Sequence, residues 1–121
     1  MEALKQALQE LLAQAGANAS FGELMELFVE ALKAHPEALG ALEGRYRMQT
    51  TDTGVSTAFA LSENGLELLG ADDKTDAAIS GSEADLMAVI RKELNPMAAM
   101  FMGKLKIQGS MQALAKFAQI L

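Results

Sequence analysis

Few residues in this chain have the type and spacing that enzymatic chemistry requires. The one histidine, His35, directly precedes a proline, and no serine or cysteine nucleophile motif accompanies it. Asp72, Asp73 and Asp76 suggest a calcium loop, but the other ligand positions and the closing glutamate of such a loop are missing. Gly81-Ser82 fits a helix cap better than a nucleophile elbow. We therefore expect no catalytic residue, no metal site, no cofactor and no enzymatic activity.

Two pairs of basic residues alternate with apolar residues along predicted strands. Arg45 and Arg47 share one face of the first strand, as Lys104 and Lys106 do on the last. If these strands are neighbours, the pairs form a positive patch for transient contact with anionic lipid headgroups at a membrane surface. The alternative is an ordinary polar face with lysines that protect a sheet edge. A net charge of −6 argues against nucleic acid as a partner.

Methionine supplies much of the apolar bulk near the C-terminal end. The 121 residues include eight methionines but no tryptophan and no cysteine, which excludes a disulfide scaffold. Met97, Met100, Met102 and Met111 lie within fifteen residues, among many alanines. Because a methionine side chain is flexible, this composition suits the wall of an adaptable cavity. The alternative is that these methionines fill gaps in an ordinary core.

The N-terminal part is predicted to be helical. Apolar residues at helical spacing predict a helix over Glu2 to Ala15, which Gly16 ends before a short connector through Ala19. Ser20 followed by Glu23 has the spacing of a capping box and predicts the start of a second helix. His35-Pro36 should end that helix, since a residue before proline is disfavoured in the α conformation.

Alternation then predicts four strands and a hairpin. The predicted strands are Arg45–Thr50, Ser56–Ser62, Leu66–Leu69 and Ala77–Ser80, with a hairpin turn at Asn64-Gly65. In the first strand Tyr46, Met48 and Thr50 share the face that should be buried.

The C-terminal part is predicted to contain two helices, a fifth strand and a closing helix. Ser82 with Asp85 caps one helix, and Asn95-Pro96 begins the next, which Gly103 ends. Strict alternation predicts a strand over 104–108, followed by a helix with Met111 on its apolar face. A connection of this length allows the fourth and fifth strands to be parallel. The predicted fold is α+β: a five-stranded, mostly antiparallel sheet with one face covered by helices that enclose an apolar cavity.

No segment is apolar for long enough to cross a membrane. The longest apolar runs, 86–90 and 97–102, are far below the roughly 18 to 20 residues of a span. The chain begins without a basic, signal-like region and ends without a peroxisomal address. We expect a cytoplasmic protein.

The segment from Leu94 to Met111 resembles the C-terminal signature of the sterol carrier protein type-2 family. That signature is Asn-Pro, a helix of small and apolar residues, Gly-Lys-Leu-x-(Val/Ile)-x-Gly and a closing amphipathic helix, as in Asn95-Pro96 and 103–109 here. Gly44-Arg45-Tyr46 is similar to the family's first strand. The resemblance covers 20–121, so we expect a lipid-binding domain there and an added N-terminal helix with its connector in 1–19. Three departures argue against the eukaryotic sterol-trafficking role: the tryptophan that many relatives carry in strand two is absent, the peroxisomal tail is missing, and an N-terminal helix is added. We expect a stand-alone bacterial member.

The resemblance implies an apolar tunnel that accepts lipids, with the last helix as a lid. The implied ligand-binding residues are Phe28, Met87, Ile90, Met97, Met100, Phe101, Leu105, Met111, Leu114, Phe117 and Leu121. The implied function is non-enzymatic binding and carriage of fatty acyl chains or of sterol- or isoprenoid-like lipids. The alternative is an accessory protein that presents a lipid intermediate to partner enzymes. The oligomeric state stays open.

Overall fold

The computed structural model describes residues 2–15 and 19–119. The helices are α1 (Glu2–Ala15), α2 (Phe21–Ala34), α3 (Pro36–Leu39), α4 (Glu83–Ile90), α5 (Pro96–Phe101) and α6 (Met111–Ala118), with a 3-10 turn at Gly40–Leu42. The strands are β1 (Gly44–Thr50), β2 (Ser56–Ser62), β3 (Gly65–Leu69), β4 (Ala77–Gly81) and β5 (Leu105–Gly109). This order confirms the predicted α+β class. The predicted connector at 16–18 lies outside the described residues.

Side-chain caps fix where the helices begin. The hydroxyls of Ser20 and Ser82 accept hydrogen bonds from the amides three residues later, at 3.2 Å in each helix. The amide oxygen of Asn95 accepts two such bonds, and α2 ends before His35 as predicted. These caps satisfy amides that have no partner within the helix. Within the described ranges, no helix is both long and apolar enough to span a membrane.

The sheet has the strand order β3-β2-β1-β4-β5. Strands β1 and β4 are parallel, and the other three neighbouring pairs are antiparallel. The prediction that β4 and β5 are parallel is wrong. Two helices connect them, so the chain runs away from the sheet and back, and Leu105 pairs with Gly81 at the end where β4 finished. A parallel pair would have required the chain to cross to the opposite end.

The β2–β3 hairpin differs from the prediction by one residue. Ser62 pairs with Gly65, so the two turn residues are Glu63 and Asn64, and Gly65 begins the return strand. Gly65 has a φ of 119°, a backbone conformation that suits glycine. The glycine in Asn64-Gly65 therefore starts the return strand beside the turn.

Aromatic contacts join the covered face of the sheet to its helices. The Tyr46 ring lies 5.9 Å from the Phe59 ring on β2 and 5.0 Å from the Phe117 ring on α6. Phe28 on α2 packs against Phe59 at 6.0 Å. All four side chains are buried. The cluster holds α2 and α6 against the centre of the sheet, since paired rings bury a large apolar area in a defined geometry.

Helix α1 shares this core. Leu4 is fully buried and Leu8 is 6% exposed, and both belong to the same hydrophobic cluster as the sheet residues. Their spacing of four residues places them on one face of the helix, while Gln6 and Glu10 are exposed. The N-terminal helix is therefore a packed part of the fold.

The basic residues of β1 and β5 do not form one patch. Strand β4 lies between β1 and β5. The Arg47 guanidinium donates to the carbonyl oxygens of Gly70 and Asp73, at 3.0 and 2.9 Å, and Arg45 donates to the carbonyl of Lys74. The arginines therefore hold the acidic loop that follows β3, whereas Lys106 lies on the edge strand β5 and Lys104 directly precedes it.

Candidate functional site

A partly open cavity of about 200 Å³ lies among helices α1, α2, α4 and α6. Its lining residues are Lys5, Leu8, Gln9, Leu12, Phe28, Ile90, Lys92, Ala118 and Gln119. Leu8, Phe28 and Ile90 are buried core residues, so the wall on that side is rigid and apolar. An apolar cavity of about 150 Å³ binds benzene, so this one has room for roughly eight carbon atoms.

The charge at this cavity is positive, although the protein as a whole is acidic. Lys5 and Lys92 are its charged lining residues, and no carboxylate is among the described residues that line it. Lys92 follows the end of α4 with a φ of 65°, the one positive φ of a non-glycine residue in the described chain. Such a conformation is uncommon and is maintained by the surrounding structure. Gln9 and Gln119 add amide groups to the same lining. The cavity thus combines an apolar wall with groups that attract an anion.

Two of the predicted ligand-binding residues, Phe28 and Ile90, meet at this cavity. Leu105 and Phe117 are buried in the core, at 4% and 1% exposure, and do not line it. Met87 and Leu114 are half-buried against the same core, and Met100 is half-buried on α5. Leu121 lies outside the described residues.

The remaining predicted residues face solvent. Met97 is 55% exposed, Phe101 is 82% exposed and Met111 is 84% exposed. On α5 the buried residue is Ala99, whereas Met97 and Phe101 of this short helix point away from the core. The assignment of these three residues to a ligand tunnel stays a prediction.

Several cavity residues were not singled out from the sequence. Leu8 and Leu12 belong to the apolar stripe of α1, but that stripe does not reveal which elements it meets. Lys92 and Gln119 had no local signal, since each follows the end of a helix and reaches the cavity through the packing of other elements.

A second depression, of about 540 Å³, lies open between α2 and β3. Met25, Val29 and Leu68 contribute apolar surface, but Glu26 and Glu30 also line it. Lys33 lines it as well, so its charged lining residues are two carboxylates and one lysine. Because the carboxylates outnumber the lysine, this groove is the poorer site for an acidic amphiphile.

The polar residues first considered for chemistry have local roles. The His35 ring lies 3.1 Å from the Glu37 carboxylate, and backbone and His35 hydrogen bonds lower the pKa of Glu37. Asp73 accepts from the amide of Gly70, and Asp76 accepts from the amide of Arg45. Within the described ranges no three histidine or acidic side chains are grouped so as to hold a metal ion.

Residues 23–121 match the SCP-2 sterol transfer family. Since this match covers most of the chain, the protein belongs to that family. Helix α1 lies before the matched region, which begins within α2.

Sterol carrier protein 2 of Bos taurus is 43% identical over 47 residues, which are 39% of this chain and 9% of that protein. The matched part of the chain thus spans about a tenth of the length of the curated relatives.

Solved structures share the fold at low sequence identity. Sterol carrier protein 2 like 2 of Aedes aegypti superimposes with a TM-score of 0.56 at 16% identity, over 99% of this chain and 97% of that one. A structure titled UbiJ-SCP2 ubiquinone synthesis protein gives 0.53 at 20% identity, over 97% and 91%. The sec-alkylsulfatase Pisa1 of Pseudomonas gives 0.63 at 17% identity, over 80% of this chain but 16% of the sulfatase.

Proposed function

We propose that this protein binds and carries lipids without modifying them, and that the lipid chain enters the cavity among α1, α2, α4 and α6. One observation carries this proposal: the cavity has an apolar wall, two lysines and no carboxylate among its described lining residues. An amphiphile with one apolar chain and an anionic headgroup satisfies both parts of that lining. Membership of the SCP-2 sterol transfer family supports lipid as the ligand class.

The volume of the cavity limits how much of a lipid chain it holds without a movement of the protein. Each methylene that leaves water gains about 0.8 kcal/mol, so eight carbons supply about 6 kcal/mol before the costs of binding. A longer fatty acyl or isoprenoid chain exceeds the observed volume. We propose that the C-terminal end of α6, which contributes Ala118 and Gln119 to the lining, acts as the lid that moves to admit it.

The proposal predicts that filling the cavity blocks lipid uptake. Ala118 is exposed yet lines the cavity, so Ala118→Trp occupies its mouth without disturbing the core. Ala115→Trp is the matched control, because Ala115 is exposed on the same helix and is not part of the lining. We expect Ala118→Trp to weaken displacement of a fluorescent fatty acid at least tenfold and Ala115→Trp to leave it unchanged.

Extraction of the freshly purified protein, followed by mass spectrometry, identifies the lipid. If no lipid is extracted and the wild type displaces no fluorescent fatty acid, lipid carriage is refuted. If lipid binds and both tryptophan variants bind it equally, carriage stands and the assignment to this cavity fails.

The accessory role is a second candidate, in which the protein presents a bound isoprenoid or acyl intermediate to partner enzymes. The similar UbiJ-SCP2 structure is titled a ubiquinone synthesis protein, which makes an isoprenoid ligand and partner enzymes worth testing. We propose residues 20–121 as the lipid-binding domain and α1 as an addition that walls the cavity and presents its outer face to a partner. Deleting α1 would remove Leu4 and Leu8 from the core, so exposed positions are the better test.

Gln6→Arg with Glu10→Lys changes only the exposed face of α1. The accessory role predicts that this double variant loses a partner enzyme that co-purifies with the wild type, while fatty-acid binding is kept. Recovery of the same enzymes with both proteins would contradict it.

A further inference from the structure

Exposed large apolar side chains are concentrated at one edge of the molecule. Met97, Phe101, Met102 and Met111 are 55%, 82%, 56% and 84% exposed. Met97 and Phe101 lie on α5 and Met102 directly follows it, so these three residues precede β5 in the chain. Met111 is the first residue of α6, which follows β5. With Lys104 and Lys106 they define what we call the β5-edge surface.

The sheet topology brings these residues to one place. Strand β5 is the last strand of the sheet, so one of its sides has no neighbouring strand. Its first and last residues, Leu105 and Gly109, are about 13 Å apart at the usual rise per residue. The two groups of apolar side chains therefore flank a short edge strand, and both lysines are exposed beside them.

The charge of this part of the chain is opposite to that of the rest. Residues 94–121 contain no aspartate or glutamate and contain three lysines, whereas all sixteen acidic residues precede them. Lys116 donates to the carbonyl of Glu43, which leaves Lys104 and Lys106 as the cations of the edge. The C-terminal segment is thus positively charged in an acidic protein, and it carries four of the five large apolar side chains that are exposed in the described residues.

We propose that the β5-edge surface docks on anionic lipid bilayers. Methionine and phenylalanine side chains enter the interface between headgroups and acyl chains, while the lysines contact lipid phosphates. A fluid interface accommodates long flexible side chains without a matching pocket, which a folded partner would have to provide. A second copy of this chain is disfavoured as the occupant, because it would bring Lys104 and Lys106 of two copies close together.

The docking proposal is tested separately from ligand binding in the cavity, because vesicle binding is measured on the protein without an added ligand. We expect the 121-residue chain to float with vesicles of phosphatidylcholine and phosphatidylglycerol, and to float much less with phosphatidylcholine alone. High salt should weaken the binding, since exposed charges are screened.

Two double variants separate the electrostatic and apolar contributions. Lys104→Gln with Lys106→Gln should weaken binding about 25-fold, because each lysine near an anionic surface contributes about fivefold. Phe101→Ser with Met111→Ser should weaken binding at all salt concentrations. Both pairs are exposed, and circular dichroism with thermal unfolding verifies that the variants are folded.

Matched controls lie elsewhere on the surface. Leu68 is 59% exposed on β3, the strand at the opposite edge of the sheet, so Leu68→Ser removes an exposed apolar group far from the β5-edge surface. Lys33→Gln with Lys74→Gln removes two exposed lysines outside the surface. We expect both controls to bind vesicles like the wild type.

Several outcomes would overturn the proposal. Equal binding of the wild type to the two vesicle types would do so, and so would controls that lose as much binding as the β5-edge variants. A different result would assign the surface to a second copy of this chain. In that case the wild type does not bind vesicles but self-associates, and Phe101→Ser with Met111→Ser abolishes the self-association. Tight binding to an acidic protein in place of vesicles would assign it to a protein partner. If vesicles bind normally and no fatty acid is displaced, docking stands and lipid carriage fails.

Discussion

Titration of Tyr46 tests how tightly the core beneath α6 is closed. Tyr46 is fully buried, and its hydroxyl donates to the carbonyl oxygen of Leu42 at 2.6 Å. Burial, with a smaller effect of the Asp76 charge, raises the pKa of Tyr46 to about 12. The phenol should therefore stay protonated in the folded protein at a pH where an exposed tyrosine ionises.

The sign and size of the effect on stability follow from this pKa. The unfolded chain loses the phenol proton near the ordinary pKa of about 10, whereas the folded protein keeps it to about 12. Between these values the folded state binds more protons, so the free energy of unfolding falls as the pH rises. A difference of about two in pKa corresponds to about 3 kcal/mol, which is present below pH 10 and is lost by pH 12.

The composition of the chain makes the measurement direct. The sequence has one tyrosine and no tryptophan, so ultraviolet absorbance of tyrosinate reports Tyr46 alone. Stability curves in urea at several alkaline pH values, for wild type and Tyr46→Phe, separate the phenol from lysines that titrate in the same range. Tyr46→Phe should lack the part of the decline in the free energy of unfolding that ionisation of Tyr46 causes in the wild type. A midpoint near 10 in the folded protein would refute the reasoning.

The same signal reports on the proposed lid. The Phe117 ring of α6 lies 5.0 Å from the Tyr46 ring, so movement of α6 would expose the phenol to water. If a bound fatty acid displaces α6, the midpoint of Tyr46 should move toward 10. An unchanged midpoint in the saturated protein would show that α6 stays in place when lipid binds.

Two further substitutions test local features of the fold. A Cβ at Gly109, where φ is 136°, would collide with the backbone of Asp76 and Ala77, so Gly109→Ala should lower the free energy of unfolding by at least about 2 kcal/mol in urea denaturation. The control is Gly22→Ala, which meets nothing closer than 4.0 Å in helix α2 and should leave stability equal or higher; similar losses in both would contradict the steric argument. Asn95→Ala removes the acceptor for two amides of α5 and should cost about 1 kcal/mol by thermal unfolding, whereas Asn95→Asp keeps the acceptor and should cost much less. Equal losses from these two variants would show that the cap contributes little.

Local sequence predicted the elements well because the signals are local. The caps at Ser20, Ser82 and Asn95 act within one turn of their own helix, and alternation along Tyr46 to Thr50 needs only the pleat of one strand. The sequence therefore determined the order of elements and the buried face of β1. The resemblance of the C-terminal segment also identified the family that the comparison confirms.

The tertiary structure decided the direction of β5, the position of the cavity and the exposure of the methionine-rich segment. Whether β5 is parallel to β4 depends on how α4 and α5 together return the chain, which no single pattern specifies. Lys5 and Lys92 are far apart in sequence, and only the tertiary structure places both in the lining of one cavity. Periodicity identifies the apolar residues of a helix, but the surrounding elements determine which are covered. On α5 that covered residue is Ala99, and Met97 and Phe101 remain in solvent.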